Sequence, residues 1–132
     1  MKSKILVTDS SAAVCRLYNY YLESPQSEIT TSVNAAECID LAISIEPDII
    51  TLGMELDGAS GVELCAELKE NSETALIPVV IISSASDHET KVKAFEAGAI
   101  EYIITPCSPE FLRSRIESIR KSRRYADDQA TT

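Results

Sequence analysis

The residues best placed to do chemistry in this chain stand at the ends of its apolar runs. Asp9 and Ser10 follow Ile5-Leu6-Val7-Thr8, and Gly53 follows Ile49-Ile50-Thr51-Leu52. Ser83 follows Val79 to Ile82, and Thr105 follows Tyr102-Ile103-Ile104. Continuous apolar runs of this length read as strands buried on both faces, and a parallel sheet gathers its ligands at the carboxyl ends of such strands. The set gathered here is rich in hydroxyls and poor in charge. Asp9 is the one carboxylate directly after a strand, with Glu55 two residues beyond Gly53. Asp9 could hold a cation weakly, but a carboxylate hydrogen-bonded at the start of the next helix is the simpler role. The sequence has no Gly-rich phosphate loop and no catalytic triad.

Cys15, Cys38, Cys65 and Cys107 lie far apart with no CxxC pair, and His88 is the sole histidine. That spacing argues against a zinc site. Three of the thiols fall within helical patterns and read as buried structural groups. Cys107, in a loop, is the one to watch for reactivity.

The elements that must position these residues follow from periodicity. Ser10 or Ser11 can cap a first helix, whose Val14, Leu17, Tyr18, Tyr21 and Leu22 form one inward stripe. Ser24-Pro25 ends it. Ile29, Thr31 and Val33 alternate, as an edge strand does. Asn34 with Glu37 caps a second helix, with Cys38, Leu41, Ala42 and Ile45 inward. A strand from Asp48 to Leu52 leads into a loop from Met54 to Ala59. Ser60 with Glu63 then caps a third helix, with Leu64, Cys65 and Leu68 inward. The fourth helix, about Asp87 to Ala97, is expected to bury Val92 and Phe95 and to stop at Gly98. Ser108-Pro109 opens the fifth, with Leu112, Ile116 and Ile119 inward.

Five strands alternating with five helices predict an α/β fold. It is a doubly wound, flavodoxin-like parallel sheet of order 2-1-3-4-5 with helices on both faces. Asp9 and Gly53 then line the same crevice, between strands one and three. Residues 1–124 form one domain, and 125–132 a disordered tail or the start of a linker.

The chain has 132 residues and a net charge of −9. Residues 1–112 carry 18 acidic and 6 basic groups, whereas 113–124 carry 6 basic and 1 acidic. An acidic body excludes nucleic-acid binding by the domain, because phosphate attraction dominates that affinity. The basic run fits the exposed face of a last helix, where cations suit the negative end of the dipole. No apolar run approaches a membrane span and no signal-peptide core is present, so a cytoplasmic location is expected.

The blocks ILVTDSS, PDIITLGMELDGASGVELC, IPVVIISS and AGAIEYIITPCSPEFLRSRI together resemble the receiver domain of two-component response regulators, over roughly Lys2 to Ser122. In that family an aspartate at the end of the third strand accepts a phosphoryl group. Two acids after the first strand hold Mg²⁺, and a lysine after the fifth pairs with the phosphate. A hydroxyl after the fourth strand and an aromatic on the fifth form a switch. Carried onto this chain, the resemblance places Gly53 at the acceptor, Asp9 and Ser10 at the acidic pair, and Thr105 at the lysine. Ser83 and Tyr102 fall on the switch. Thr105-Pro106 matches a bond that is usually cis in the family. The resemblance thus implies a degenerate pseudo-receiver with no enzymatic activity, no cofactor, and Mg²⁺ binding weak or absent. Signalling would run through a protein partner or a fused output domain.

The family's usual output surface is helix 4, strand 5 and helix 5. On it the resemblance places Lys91, Glu96, Ile100, Glu101, Phe111 and Arg115, with charges able to pair across a two-fold homodimer. One alternative is ordinary phosphorelay through an unconventional acceptor such as Glu55. A second is a small-ligand-binding doubly wound protein using the emptied crevice.

Overall fold

The computed structural model describes residues 2–122, with the backbone of the last helix followed to Ala130. The elements in order are β1 (Ser3–Thr8), α1 (Ala12–Leu22), β2 (Ser27–Ser32), α2 (Ala35–Ile45), β3 (Ile49–Gly53), β4 (Glu55–Leu56), β5 (Ala59–Ser60), α3 (Gly61–Glu70), β6 (Val79–Ser83), α4 (His88–Glu96), β7 (Glu101–Ile104) and α5 (Pro109–Ala130). The tail or linker expected at 125–132 falls outside the residues described in full.

The long strands pair in parallel in the order β2-β1-β3-β6-β7, which is the predicted 2-1-3-4-5. Alternate residues of each strand enter different cores, which is why the strands read as unbroken apolar runs. Leu6, Ile50, Leu52, Val79 and Ile81 meet Cys38, Ala42, Leu64, Leu68 and Ala94 on one face. Ile5, Val7, Ile49, Val80 and Ile103 meet Leu22, Leu112, Ile116 and Ile119 on the other. Cys15, Cys38 and Cys65 are buried as expected. Among the described residues no helix is long and apolar enough to cross a membrane.

Several helix faces differ from the periodicity reading. Leu17 is 45% exposed, and α1 instead seats the small Cys15 inward, with Tyr18 and Tyr21 packed at the margin of the core. Leu41 and Ile45 are only partly covered on α2. The clearest reversal is α4, where Val92 and Phe95 are 36% and 48% exposed. Its inward line is Ala94 and Ala97, so small residues face the core and large apolar ones face out. Ser11, rather than Ser10, caps α1, its Oγ accepting from Val14 N–H at 3.2 Å.

The loop after β3 is also more ordered than expected. Glu55-Leu56 and Ala59-Ser60 form a two-stranded hairpin turned by Asp57-Gly58, with Gly58 at a positive φ of 91°. Ser60 and Glu63 then close a capping box at the start of α3. Gly98 ends the turn after α4 at a φ of 108°, and Thr105-Pro106 is cis.

Candidate functional site

The carboxyl ends of β1, β3, β6 and β7 open into one crevice, as the strand order requires. Asp9, Ser10, Glu55, Ser83 and Thr105 all line it, so the structure brings together the pocket residues read from the sequence. Gly53 closes β3 immediately beside Asp9. A β-carbon built on Gly53 would lie 2.6 Å from Asp9 Oδ2, so the aspartate occupies the space that a side chain at position 53 would need. Asp9 is held there from one side, with its Oδ1 accepting from Ser11 N–H at 2.9 Å. This matches the helix-start role expected of it.

The turn from β3 to α3 is drawn in tightly beneath the crevice. Gly61 N–H donates to the Met54 carbonyl at 2.7 Å. A β-carbon on Gly61 would stand 2.2 Å from the Gly53 carbonyl oxygen, a distance that only glycine permits. The β4–β5 hairpin then carries Glu55 to the mouth of the crevice, with its side chain exposed.

Ser83 and Tyr102 meet through a residue that periodicity gave no reason to single out. Ser83 Oγ accepts from Ala85 N–H at 3.0 Å, and Tyr102 OH donates to the Ala85 carbonyl at 2.7 Å. Ala85 takes part through backbone groups alone, so residue type carries no signal for it. Tyr18 and Val14 also line the crevice, from α1. Burial, and then the nearby Asp9 carboxylate, raise the Tyr18 hydroxyl above its usual range. Cys107 is half-buried, and burial pushes its thiol up, away from the thiolate that reactivity needs.

A hard divalent cation requires several fixed oxygen donors. Asp9 offers one carboxylate whose Oδ1 is already in use, Ser10 a hydroxyl, and Gly53 only backbone. Among the described residues no group of three His, Cys, Asp or Glu could hold a metal. These donors do not fit a Mg²⁺ site.

The residues expected at an interface share one side of the molecule. Ile100 and Phe111 are 54% and 48% exposed there, joined by Val92, Phe95 and Ile104. Arg115 pairs with Glu101 of its own chain, Lys93 with Glu89, and Arg113 with Glu110. Lys91 and Glu96 lie on α4, beside the exposed apolar residues.

A family model described as response regulator receiver domain matches residues 5–117. The transcriptional regulatory protein ResD of Bacillus subtilis is 30% identical over 118 residues, spanning 89% of this chain and 48% of ResD. The phosphate regulon transcriptional regulatory protein PhoB of Pseudomonas aeruginosa is 29% identical over 126 residues, spanning 96% of this chain and 55% of PhoB. The chain thus spans about half the length of the curated relatives it matches. Among solved structures, the BeF3-activated DrrB receiver domain superposes with a TM-score of 0.80 at 26% identity, covering 92% of this chain and 99% of DrrB. The receiver domain of a LuxO repressor protein from Vibrio parahaemolyticus reaches 0.88 at 18% identity, covering 96% of each chain, a likeness of fold alone.

Proposed function

The chain belongs to the response regulator receiver domain family, and from that premise we propose that it is a pseudo-receiver, signalling through protein contacts without being phosphorylated. The observation that carries this reading is Gly53 at the end of β3, with the Asp9 carboxylate lying where a side chain would go. Covalent phosphoryl transfer needs a nucleophilic side-chain carboxylate, and the rest of its catalysis is charge neutralisation around the transferred group. Gly53 supplies no nucleophile. Ser10 and Thr105 supply neither the second acid nor a cation. In this reading the domain has no enzymatic activity and no cofactor, binds Mg²⁺ weakly or not at all, and works in the cytoplasm.

Output passes through the face formed by α4, β7 and α5. Five of the large exposed apolar side chains gather there: Val92, Phe95, Ile100, Ile104 and Phe111. Its partner is another protein, a fused output domain, or a second copy of the chain. The longer relatives, named as transcriptional regulators, favour an output domain as one of these.

The test is exposure of the intact chain to acetyl phosphate, and separately to beryllofluoride, each with Mg²⁺. The amide spectrum is expected to stay unchanged with both reagents. A stoichiometric acyl phosphate, or large shifts at Tyr102, overturns the reading. Gly53→Asp alone is expected to remain poorly labelled, since Ser10 and Thr105 persist.

Glu55 gives a second reading a foothold, because the hairpin places it on the same crevice as Asp9 and Ser83. If it accepts a phosphoryl group, transfer from a kinase or acetyl phosphate labels the wild-type chain, and Glu55→Gln abolishes that label.

A further inference from the structure

The crevice lies at the carboxyl ends of the strands. A second, partly enclosed cavity of about 220 Å³ lies towards their amino ends, between α1 and α5. Its wall is aliphatic where Ile5 of β1, Leu22 at the end of α1 and Ile116 of α5 meet. Ser24 and Ser27, on the way into β2, and Arg120 of α5 add polar groups to that wall.

Beside the cavity stands a buried hydroxyl with nothing to bond. Ser3 is 1% exposed, and among the described residues its Oγ is the one buried side-chain polar atom without a hydrogen-bond partner. Alternation along β1 puts Ser3 on the same face as Ile5, and the parallel register sets it opposite Ser27. Both of those neighbours line the cavity. An unbonded buried hydroxyl is unfavourable, so one placed here points to a ligand group that accepts from it.

The polar groups nearby are richer in donors than in acceptors. Ser24 Oγ accepts from Gln26 N–H at 3.1 Å, which leaves its own hydrogen uncommitted. Ser27 N–H donates to the Ser24 carbonyl at 3.1 Å, and its hydroxyl adds a further donor. Arg120 directs Nε at Glu117 at 3.0 Å, and Nη2 as well, so its Nη1 hydrogens remain for another acceptor. Its side chain is only 14% exposed, so the guanidinium is fixed against the wall. Glu117 lines the cavity too, so an anion is held there by hydrogen bonds more than by net charge.

We propose that this cavity binds a small monocarboxylate with an apolar body, of about the size of benzoate. The body packs on Ile5, Leu22 and Ile116, and the carboxylate accepts from Ser3, Ser27 and Arg120. An apolar cavity of about 150 Å³ takes benzene, so the volume here holds one ring with its carboxylate. Because α5 supplies Ile116 and Arg120, occupancy ties the helix that carries Phe111 to β1 and α1. The site is separate from the crevice, and the proposal does not depend on whether the chain is phosphorylated.

Amide spectra of the intact chain titrated with sodium benzoate test the site, with acetate and toluene as probes lacking the body or the head. Benzoate is expected to shift the Leu22, Ser27 and Ile116 amides saturably, and to bind at least about tenfold tighter than acetate or toluene. Ser3→Ala removes one donor and should weaken benzoate by about fivefold while leaving toluene unchanged. Ser27→Leu fills the cavity and should abolish benzoate binding, with unchanged Ile50 and Ile81 amides showing that the fold persists. Should those amides move, Ser24→Leu, in the exposed connection, serves as the filling variant. Acetate or toluene binding as tightly as benzoate, benzoate affinity unaltered by Ser3→Ala, or binding that survives the filling variant overturns the proposal. Acyl phosphate formation on the chain would instead remove the pseudo-receiver reading and leave this site standing.

Discussion

Gly53 and Asp9 constrain one another, and that gives the residue scale its sharpest prediction. A side chain at position 53 forces Asp9 to swing away and give up its bond to Ser11 N–H, a loss of about 0.5–1.5 kcal/mol. Replacing a strand glycine by alanine contributes about 0.5–1 kcal/mol in the other direction. Gly53→Ala is therefore expected to stay within about 1 kcal/mol of wild type by urea unfolding. Gly53→Asp adds a like charge beside Asp9, raising the folded-state pKa of the introduced carboxyl above its unfolded value near 4. The native state then binds more protons than the unfolded chain in that range, so stability falls as pH rises through it. Measured against Gly53→Ala, the aspartate variant should lose ground between pH 4 and pH 7, and a constant difference would refute the charge argument. Most of this site was legible in the sequence because Asp9, Ser10, Ser83 and Thr105 each follow an apolar run. Ala85 was not, because a residue that acts through its peptide groups leaves no trace in residue type.

At the scale of elements, legibility followed how many positions each pattern had to specify. Strands buried on both faces announce themselves, and α5 placed Leu112, Ile116 and Ile119 inward at 1%, 3% and 7% exposed as its stripe required. The nine-residue α4 defeated the same reasoning. A helix can approach a sheet through small residues, and Ala94 and Ala97 do so here, turning Val92 and Phe95 outward. The β4–β5 hairpin was hidden for a different reason, since two-residue strands have no periodicity to read. Its consequence is measurable at Gly61, which enters α3 where a β-carbon would stand 2.2 Å from the Gly53 carbonyl oxygen. Gly61→Ala would drive a methyl group into backbone that cannot yield locally, unlike the Asp9 side chain near Gly53. Overpacking of this kind costs about 1–3 kcal/mol. Ser60→Ala, which removes only the cap, should cost about 1 kcal/mol. Urea midpoints that place Gly61→Ala nearer wild type than Ser60→Ala would show that the loop shifts freely to admit a β-carbon.

Across the whole molecule, charge and apolar surface are separated in a way that bears on how the domain meets partners. The acidic groups are concentrated in residues 1–112, and the chain carries −9 overall, so two copies repel over most approaches. On the face of α4, β7 and α5 three ion pairs close within the chain, Glu89–Lys93, Glu101–Arg115 and Glu110–Arg113, and Lys91 and Glu96 on α4 lie outside them. The large apolar side chains exposed on that face include Phe95, Ile100 and Phe111. In the proposed contact between copies, apolar burial would supply the driving force, since exposed ion pairs are worth only about 0–1 kcal/mol each. Salt distinguishes this from a charge-paired interface. Raising NaCl from 50 to 500 mM screens the repulsion between acidic bodies while leaving apolar contact intact, so sedimentation should show self-association unchanged or stronger. Ile100→Glu removes an anchor whose full burial is worth about 1.5–3 kcal/mol, and should weaken association by at least about tenfold. Arg115→Ala, whose partner Glu101 lies in the same chain, should leave it nearly unchanged. Association that falls steeply with salt, or that Arg115→Ala abolishes, would mean that the pairs seen within one chain exchange across the interface, and that charge governs the contact.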